Sequence, residues 1–159
     1  MAKILVAYYS RSGNTQRMAE EVAKAAGRVK GATVECKSVD KVAPKDLLDY
    51  DAILLGSPTY YGGMAAEVKK LLDESVTFHG KLEGKVGGAF SSAANIGGGN
   101  ETTILGILQA MLIHAMIVQG SYSGDHYGPV AVGDPDDRAK KQCRHLGQSV
   151  AALAVKLHG

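Results

Sequence analysis

The sequence predicts an α/β fold: a three-layer, doubly wound sheet of five parallel strands in a single domain over residues 1–159. Three observations lead there. Apolar runs of strand length are nearly continuous, as in "KILVAYY" (Lys3–Tyr9) and "DAILLGSP" (Asp51–Pro58), and strands buried on both faces of a parallel sheet read this way. These runs alternate with amphipathic helical patterns, which implies parallel strands joined by right-handed crossovers with helices on both faces. Finally, 159 residues with 45% hydrophobic and 21% charged content suit one globular domain. A chain of that size buries roughly 68–70% of its unfolded surface, enough for a core without staples.

Taken in order, Lys3–Tyr9 is the first strand. From Asn14 the period changes: Met18, Val22 and Ala26 recur every four residues, flanked by Thr15, Ala19 and Val29. That is one face of a helix, ended by Gly27 or Gly31. "ATVECKSV" (Ala32–Val39) alternates and is a second, edge-type strand. Asp51–Pro58 is the third, stopping at Gly-Ser-Pro. A helix over about Ala65–Glu74 follows, with Val68, Leu71 and Leu72 on its apolar side. "KVGGAFSS" (Lys85–Ser92) is the fourth strand, its glycines marking close backbone approach. A helix over about Glu101–Ile113 leads to the fifth strand, Ala115–Gly120. In the last helix Asp134 is the expected cap and Pro135 suits the first turn. Ala139, Cys143, Leu146, Val150, Leu153 and Leu157 then form its buried stripe. The pattern is β-α repeated five times.

Bulk properties exclude several classes. A net charge of +2 without a basic cluster does not suit a nucleic-acid partner. Cys36 and Cys143 have no paired spacing, so neither a disulfide framework nor a metal site is expected, and both read as buried or half-buried thiols. No apolar stretch approaches the ~20 residues of a membrane span, and no signal peptide is visible. A soluble, cytoplasmic protein is expected.

Ligands of such sheets bind beyond the carboxyl ends of the strands, where the strand order reverses. Three loops there share an unusual composition. "SRSGNT" comprises Ser10, Arg11, Ser12, Gly13, Asn14 and Thr15. It offers hydroxyls, an amide and backbone N–H groups at a helix N-terminus, which suits a phosphate; a helix start capped by Asn14 is the plainer reading. It lacks the lysine of a nucleoside-triphosphate loop. "GSPTYYGG" carries Pro58, Thr59, Tyr60, Tyr61 and Gly62. Its adjacent tyrosines offer flat faces to a flat ligand, or lie half buried in a turn. "FSSAANIGGGNETT" carries Ser91, Ser92, Ala93, Ala94, Asn95, Ile96 and Gly97. Its polar groups suit a ring edge, or it is a glycine loop capped by Asn100. Together the three describe a site for a phosphorylated planar heterocycle, and flavin mononucleotide (FMN) fits. A phosphate-accepting receiver domain is excluded, because the first strand ends in "YYSRSG" and the third in "LLGSP", without the carboxylates it needs.

The chain resembles the flavodoxin-like superfamily, and most closely the WrbA-type NAD(P)H:quinone oxidoreductases. The resemblance rests on "KILVAYYSRSGNTQRMAEEVA", "GSPTYYGGMAAEVKKLLDES", "GKLEGKVGGAFSSAANIGGGNETTI", "HYGPVAVG" and "SVAALAVKL", which span nearly the whole chain. It implies strand order 2-1-3-4-5, with Ser10–Thr15 on the FMN phosphate, Pro58–Tyr61 along the ring and Ser91–Ile96 on ribityl and ring atoms. His114 matches a family histidine beside the flavin; by its position alone it reads as a buried or capping residue. Three differences from the family pattern stand out. Thr59-Tyr60-Tyr61-Gly62 replaces Thr-Arg-Phe-Gly; "SVTFHGKLEGK" lacks a tryptophan, with Phe78 or His79 nearby; and "SYSGDHYGP" is short of a tetramer-building insertion.

The resemblance implies a flavoenzyme that takes a hydride from NADH or NADPH and passes two electrons to a quinone in ping-pong fashion. Tyr60, Tyr61 and His114 are its candidate catalytic residues, and the assembly is a homodimer or homotetramer. The rival is a one-electron carrier that docks on a redox partner protein. The shorter loops favour the carrier. The slightly basic charge opposes it, because typical carriers of this kind are strongly acidic, and so does the absence of an aromatic residue in the third loop. A flavin-binding interaction subunit is a third reading, with "HYGPV" (His126–Val130) either a partner contact or a loop packed on the last helix.

Overall fold

The computed structural model describes residues Met1–Gly159. In strand β1 (Ala2–Tyr8) Ile4 and Val6 belong to one core and Leu5 and Ala7 to another, all four fully buried. Side chains alternate across a strand, so a continuous apolar run here means helices on both sides. The chain continues through α1 (Asn14–Ala26), β2 (Ala32–Ser38), β3 (Ala52–Tyr60), β4 (Gly63–Met64), α2 (Ala66–Glu74), β5 (Val86–Ala93), α3 (Asn100–Ile113), β6 (Ile117–Val118), β7 (Val130–Val132) and α4 (Asp137–His158).

The sheet runs β2-β1-β3-β5-β6 with parallel pairing throughout. β7 rejoins β5 further along, with Val130 opposite Ser91, and β4 folds back antiparallel on β3. The fourth expected strand is β5, and the fifth is β6, with β7 added beyond it, so the order is the expected 2-1-3-4-5.

Helices α1 and α4 close one face around Met18, Val22, Leu54, Phe90, Cys143 and Val150. Helices α2 and α3 close the other around Ile53, Leu55, Val68, Leu71, Ile104, Ile107 and Met111. Two glycines of β5 let the layers approach: a Cβ on Gly87 would stand 2.7 Å from the Met111 sulfur of α3, and one on Gly88 would stand 3.3 Å from Leu146 of α4 and 2.8 Å from Leu54 on the paired strand β3.

Several expectations are corrected. No α-helix joins β2 to β3; two 3₁₀ segments, Val39–Lys41 and Pro44–Asp49, do so. Pro44 lacks the N–H that a longer helix needs in its interior. The fifth strand, expected over Ala115–Gly120, pairs only at Ile117–Val118 (β6), and after residues 119–129 leave the sheet a second, unexpected piece, Val130–Val132 (β7), joins β5. The cap of α4 is Asp136, whose carboxylate accepts the Ala139 N–H at 2.7 Å, whereas Asp134 pairs with Arg17. Neither Asn14 nor Asn100 caps its helix; Gly13 and Gly99 hold those positions in left-handed conformations. Cys36 is exposed on the edge strand β2, and Cys143 alone is buried. In the stripe of α4, Leu157 is 46% exposed. No helix is long and apolar enough to cross a membrane.

Candidate functional site

The connections from β1 to β2 and from β3 to β5 leave in opposite directions, so a crevice opens above the carboxyl ends of β1, β3 and β5. Its volume is about 240 Å³. The structure brings together there Ser10, Arg11, Ser12, Asn14 and Thr15 from the first loop, Pro58, Thr59 and Tyr60 from the second, and Ser92, Ala93 and Ala94 from the third.

The first loop is built as a donor array. Gly13 takes φ 95° and no side chain caps α1. The first helix N–H groups have no intrahelical partner, and those of Asn14, Thr15 and Gln16 find none elsewhere. No acidic residue stands in the first turn of α1, so its positive end is not neutralised. Ser10 Oγ accepts the Gly13 N–H at 3.1 Å and holds the turn closed.

Hydroxyl pairs join the walls. Thr15 and Ser92, both buried, share a 2.9 Å hydrogen bond between α1 and β5. Thr59 and Ser91 share another at 2.9 Å, and Thr103 of α3 donates to Thr59 at 3.1 Å. Ser57 accepts the Ala65 N–H and donates to the Pro58 carbonyl, closing the segment from β3 to α2.

The second loop is a tight hairpin. Thr59 pairs with Met64 and Tyr60 with Gly63 across a turn of Tyr61 and Gly62. Both turn residues have positive φ, 48° and 78°, the pattern of a type I′ turn, which prefers Asn-Gly. Tyr61 is thrown fully into solvent, while Tyr60 is 40% exposed beside the crevice. The Tyr9 ring meets Tyr60 edge-on at 6.5 Å. The hairpin is tied to α3 by Thr102, which donates to the Gly62 carbonyl at 2.6 Å. A Cβ on Gly99 would stand 2.6 Å from the Gly62 Cα, so only glycine lets these loops touch. Ile96 is exposed at the tip of the third loop, with Asn95 and Gly97 beside it.

His114 is placed elsewhere. It follows the last residue of α3, and a 14-residue helix is about 21 Å long. Its Nε2 lies 2.7 Å from Ser75 Oγ, its Nδ1 is buried without a partner, and it lines a different cavity with His79. Burial first, and the His79 charge second, push its pKa below the ordinary histidine value. The chain therefore does not bring His114 together with the crevice residues. Only the second half of "HYGPV" packs inward: Gly128 and Pro129 are buried, and a Cβ on Gly128 would stand 2.1 Å from the Ala89 carbonyl oxygen, whereas His126 and Tyr127 are exposed. Asp125, just before it, accepts from Val130 N–H and from Arg138 of α4.

Thr103, Ser57 and Arg17 also shape this region, and the sequence pattern does not single them out. Thr103 sits on the buried face of α3, where a hydroxyl needs a partner, and that was its one available signal. Nothing in the local pattern of α1 marks Arg17.

A flavodoxin-domain family profile matches residues 5–93. The chain is 38% identical to a flavodoxin of Aquifex aeolicus (strain VF5), over 95% of this chain and 86% of that protein. It is 36% identical to an NAD(P)H dehydrogenase (quinone) of Rhodopseudomonas palustris (strain BisA53), over the whole of both. That alignment runs over 200 positions against the 159 residues here, so the relative carries segments this chain lacks. Among solved structures, a flavodoxin, WrbA-like protein from Agrobacterium tumefaciens superposes with a TM-score of 0.82 at 29% identity, covering 99% of each chain. A flavodoxin from the domain Archaea superposes with a TM-score of 0.77 at 28% identity, covering 96% of this chain and 98% of its own. With more than half of its length matched by the profile and its sheet in the corresponding strand order, the chain belongs to the flavodoxin-like family.

Proposed function

We propose that the chain is an FMN-dependent NAD(P)H:quinone oxidoreductase. The observation that carries the reading is an anion-ready crevice whose mouth stays open. Its lining contains hydroxyls, free helix N–H groups and Arg11 but no carboxylate, a donor set that fits a phosphate monoester. Its third loop, Ser91–Gly97, has no aromatic side chain to close over a flat ligand. An open face suits substrates that come and go better than a sealed carrier does.

Ser10 through Thr15 would hold the phosphate, Pro58 through Gly62 the ring, and Ser91 through Gly97 the ribityl chain and ring edge. When bound, FMN supplies a centre that accepts a hydride and gives up two electrons. The protein's work is placement. The hydroxyl pairs Thr15–Ser92 and Thr59–Ser91 fix the walls. Tyr60 lines one edge of the crevice, and Tyr61, on the exposed turn beyond it, would meet an incoming nicotinamide or quinone. His114 offers no proton at this crevice within one chain, so solvent serves.

A flavodoxin-type electron carrier is the second reading. The match to the Aquifex flavodoxin favours it, since that alignment spans 159 positions without the long extra segments. Anaerobic titration separates the two. The purified protein with FMN is mixed with NADH, then NADPH, and its visible spectrum followed. Bleaching of protein-bound flavin, reversed by benzoquinone, is expected. A bound flavin that ignores both nicotinamides yet accepts electrons singly from dithionite would replace the enzyme with the carrier.

A further inference from the structure

We infer that Arg17 is a positioning residue that sets the polarity of Asn14 and thereby the chain's selectivity for a phosphorylated flavin over an unphosphorylated one. The inference rests on the reading of the crevice as an FMN site.

Arg17 lies one turn into α1, where a positive charge opposes the helix dipole. Its pairing with Asp134 is exposed on both sides, 46% and 69%, and such pairs add little to stability. Neither fact accounts for its conformation. The guanidinium folds back over the first loop: Nη2 donates to Asn14 Oδ1 at 2.6 Å, while Nε is held by Asp134 from the segment after β7. Nη1 lies so close over Gly13 that a Cβ there would stand 2.8 Å from it.

A guanidinium has five donors and no acceptor. The Asn14 atom that faces it must therefore be the carbonyl oxygen. The amide is planar, so fixing Oδ1 on Arg17 leaves Nδ2, with its two protons, free for the crevice that Asn14 lines. Without Arg17 the amide is free to turn, and in half of its orientations it would present a lone pair to an anion. Asp134 keeps Arg17 on this task by holding its Nε, which prevents the guanidinium from swinging into the crevice as a phosphate ligand itself.

The test is a comparison of FMN and riboflavin affinities, by quenching of flavin fluorescence, for the wild type, Arg17→Gln, Asn14→Ala, the double variant and Asp134→Ala. Circular dichroism is run on each to confirm the native fold. The wild type is expected to bind FMN well above riboflavin. Arg17→Gln should lose about tenfold in FMN affinity, the order expected for a charge-assisted hydrogen bond, and keep riboflavin within twofold. In the Asn14→Ala background the Arg17 change should cost nothing further. Asp134→Ala should also weaken FMN, although removing a negative charge near the site would by Coulomb attraction alone tighten it. Equal loss of both flavins on Arg17→Gln, additivity with Asn14→Ala, or tighter FMN binding by Asp134→Ala each overturns the inference while leaving the FMN site standing. A wild type that binds neither flavin overturns both.

Discussion

Tyr61 sits in a conformation its side chain disfavours. Its φ is 48°, at the first central position of a turn in which both residues are left-handed. That region costs an L-residue with a Cβ roughly 1–2 kcal/mol, and Asn relieves part of the cost through local hydrogen bonds. The Tyr61 side chain is fully exposed, so its removal forfeits no burial. Tyr61→Asn should therefore stabilise the apoprotein by about 1 kcal/mol, which for a chain of this size raises Tm by roughly 2–4 °C. On the proposed function the same change should weaken quinone turnover, because it removes the flat side chain that an incoming quinone would meet; strain kept in the turn next to the crevice residue Tyr60 points to function. Thermal unfolding followed by circular dichroism measures the first effect, and steady-state quinone reduction the second. A Tm equal to or below that of the wild type refutes the strain. A stabilised variant with unchanged kinetics refutes the role of the ring.

Two more predictions concern packing and pH. Gly147 of α4 lies against α1, where a Cβ would stand 2.2 Å from the Val22 carbonyl oxygen. Helix propensity alone favours Gly147→Ala by up to ~1 kcal/mol, but the contact is with backbone that cannot turn aside, and overpacking of this kind costs about 1–3 kcal/mol. A net fall in urea midpoint is expected, and a rise would show that the helices separate freely. His114 is held neutral by burial, with its pKa below the usual histidine value. In the pH range between that lowered value and the ordinary ~6.5 the unfolded chain binds more protons than the folded one, so stability is fully present above ~6.5 and declines as pH falls through this range. Urea unfolding at a series of pH values should show the slope, and His114→Gln should flatten it; an unchanged slope assigns it to other groups.

The layers of the fold were legible because burial writes itself into local pattern. "KILVAYY" and "DAILLGSP" are apolar on both faces, and no arrangement but a central strand satisfies them. The stripe Met18, Val22, Ala26 could only be one face of a helix, and Gly87 and Gly88 announced the close approach of Met111 and Leu146. The three loops of the crevice were legible for a related reason: small and hydroxyl-bearing residues and glycines collect at the carboxyl ends of three successive central strands, and it is that coincidence, more than any one loop, that marks a site. What tertiary structure decided is where local preference was nearly balanced. Asp134 was the expected cap, and in the fold the helix starts two residues later, with Asp136 accepting the Ala139 N–H while Asp134 faces Arg17. The fifth strand was expected over Ala115–Gly120, but its pairing depends on β5, which accepts β6 at Gly87, leaves residues 119–129 to arch outward and takes β7 at Ser91. His114 lies at the far end of α3, a distance set by helix length and direction rather than by composition. Local pattern decides most burial and the sharp turns, because those are local balances of solvation and backbone strain, though Cys36 on the edge strand and Leu157 near the end of α4 are left exposed. Which side chains meet across the crevice depends on how the strands are ordered and how the loops settle on one another, and those are decided only when the layers close.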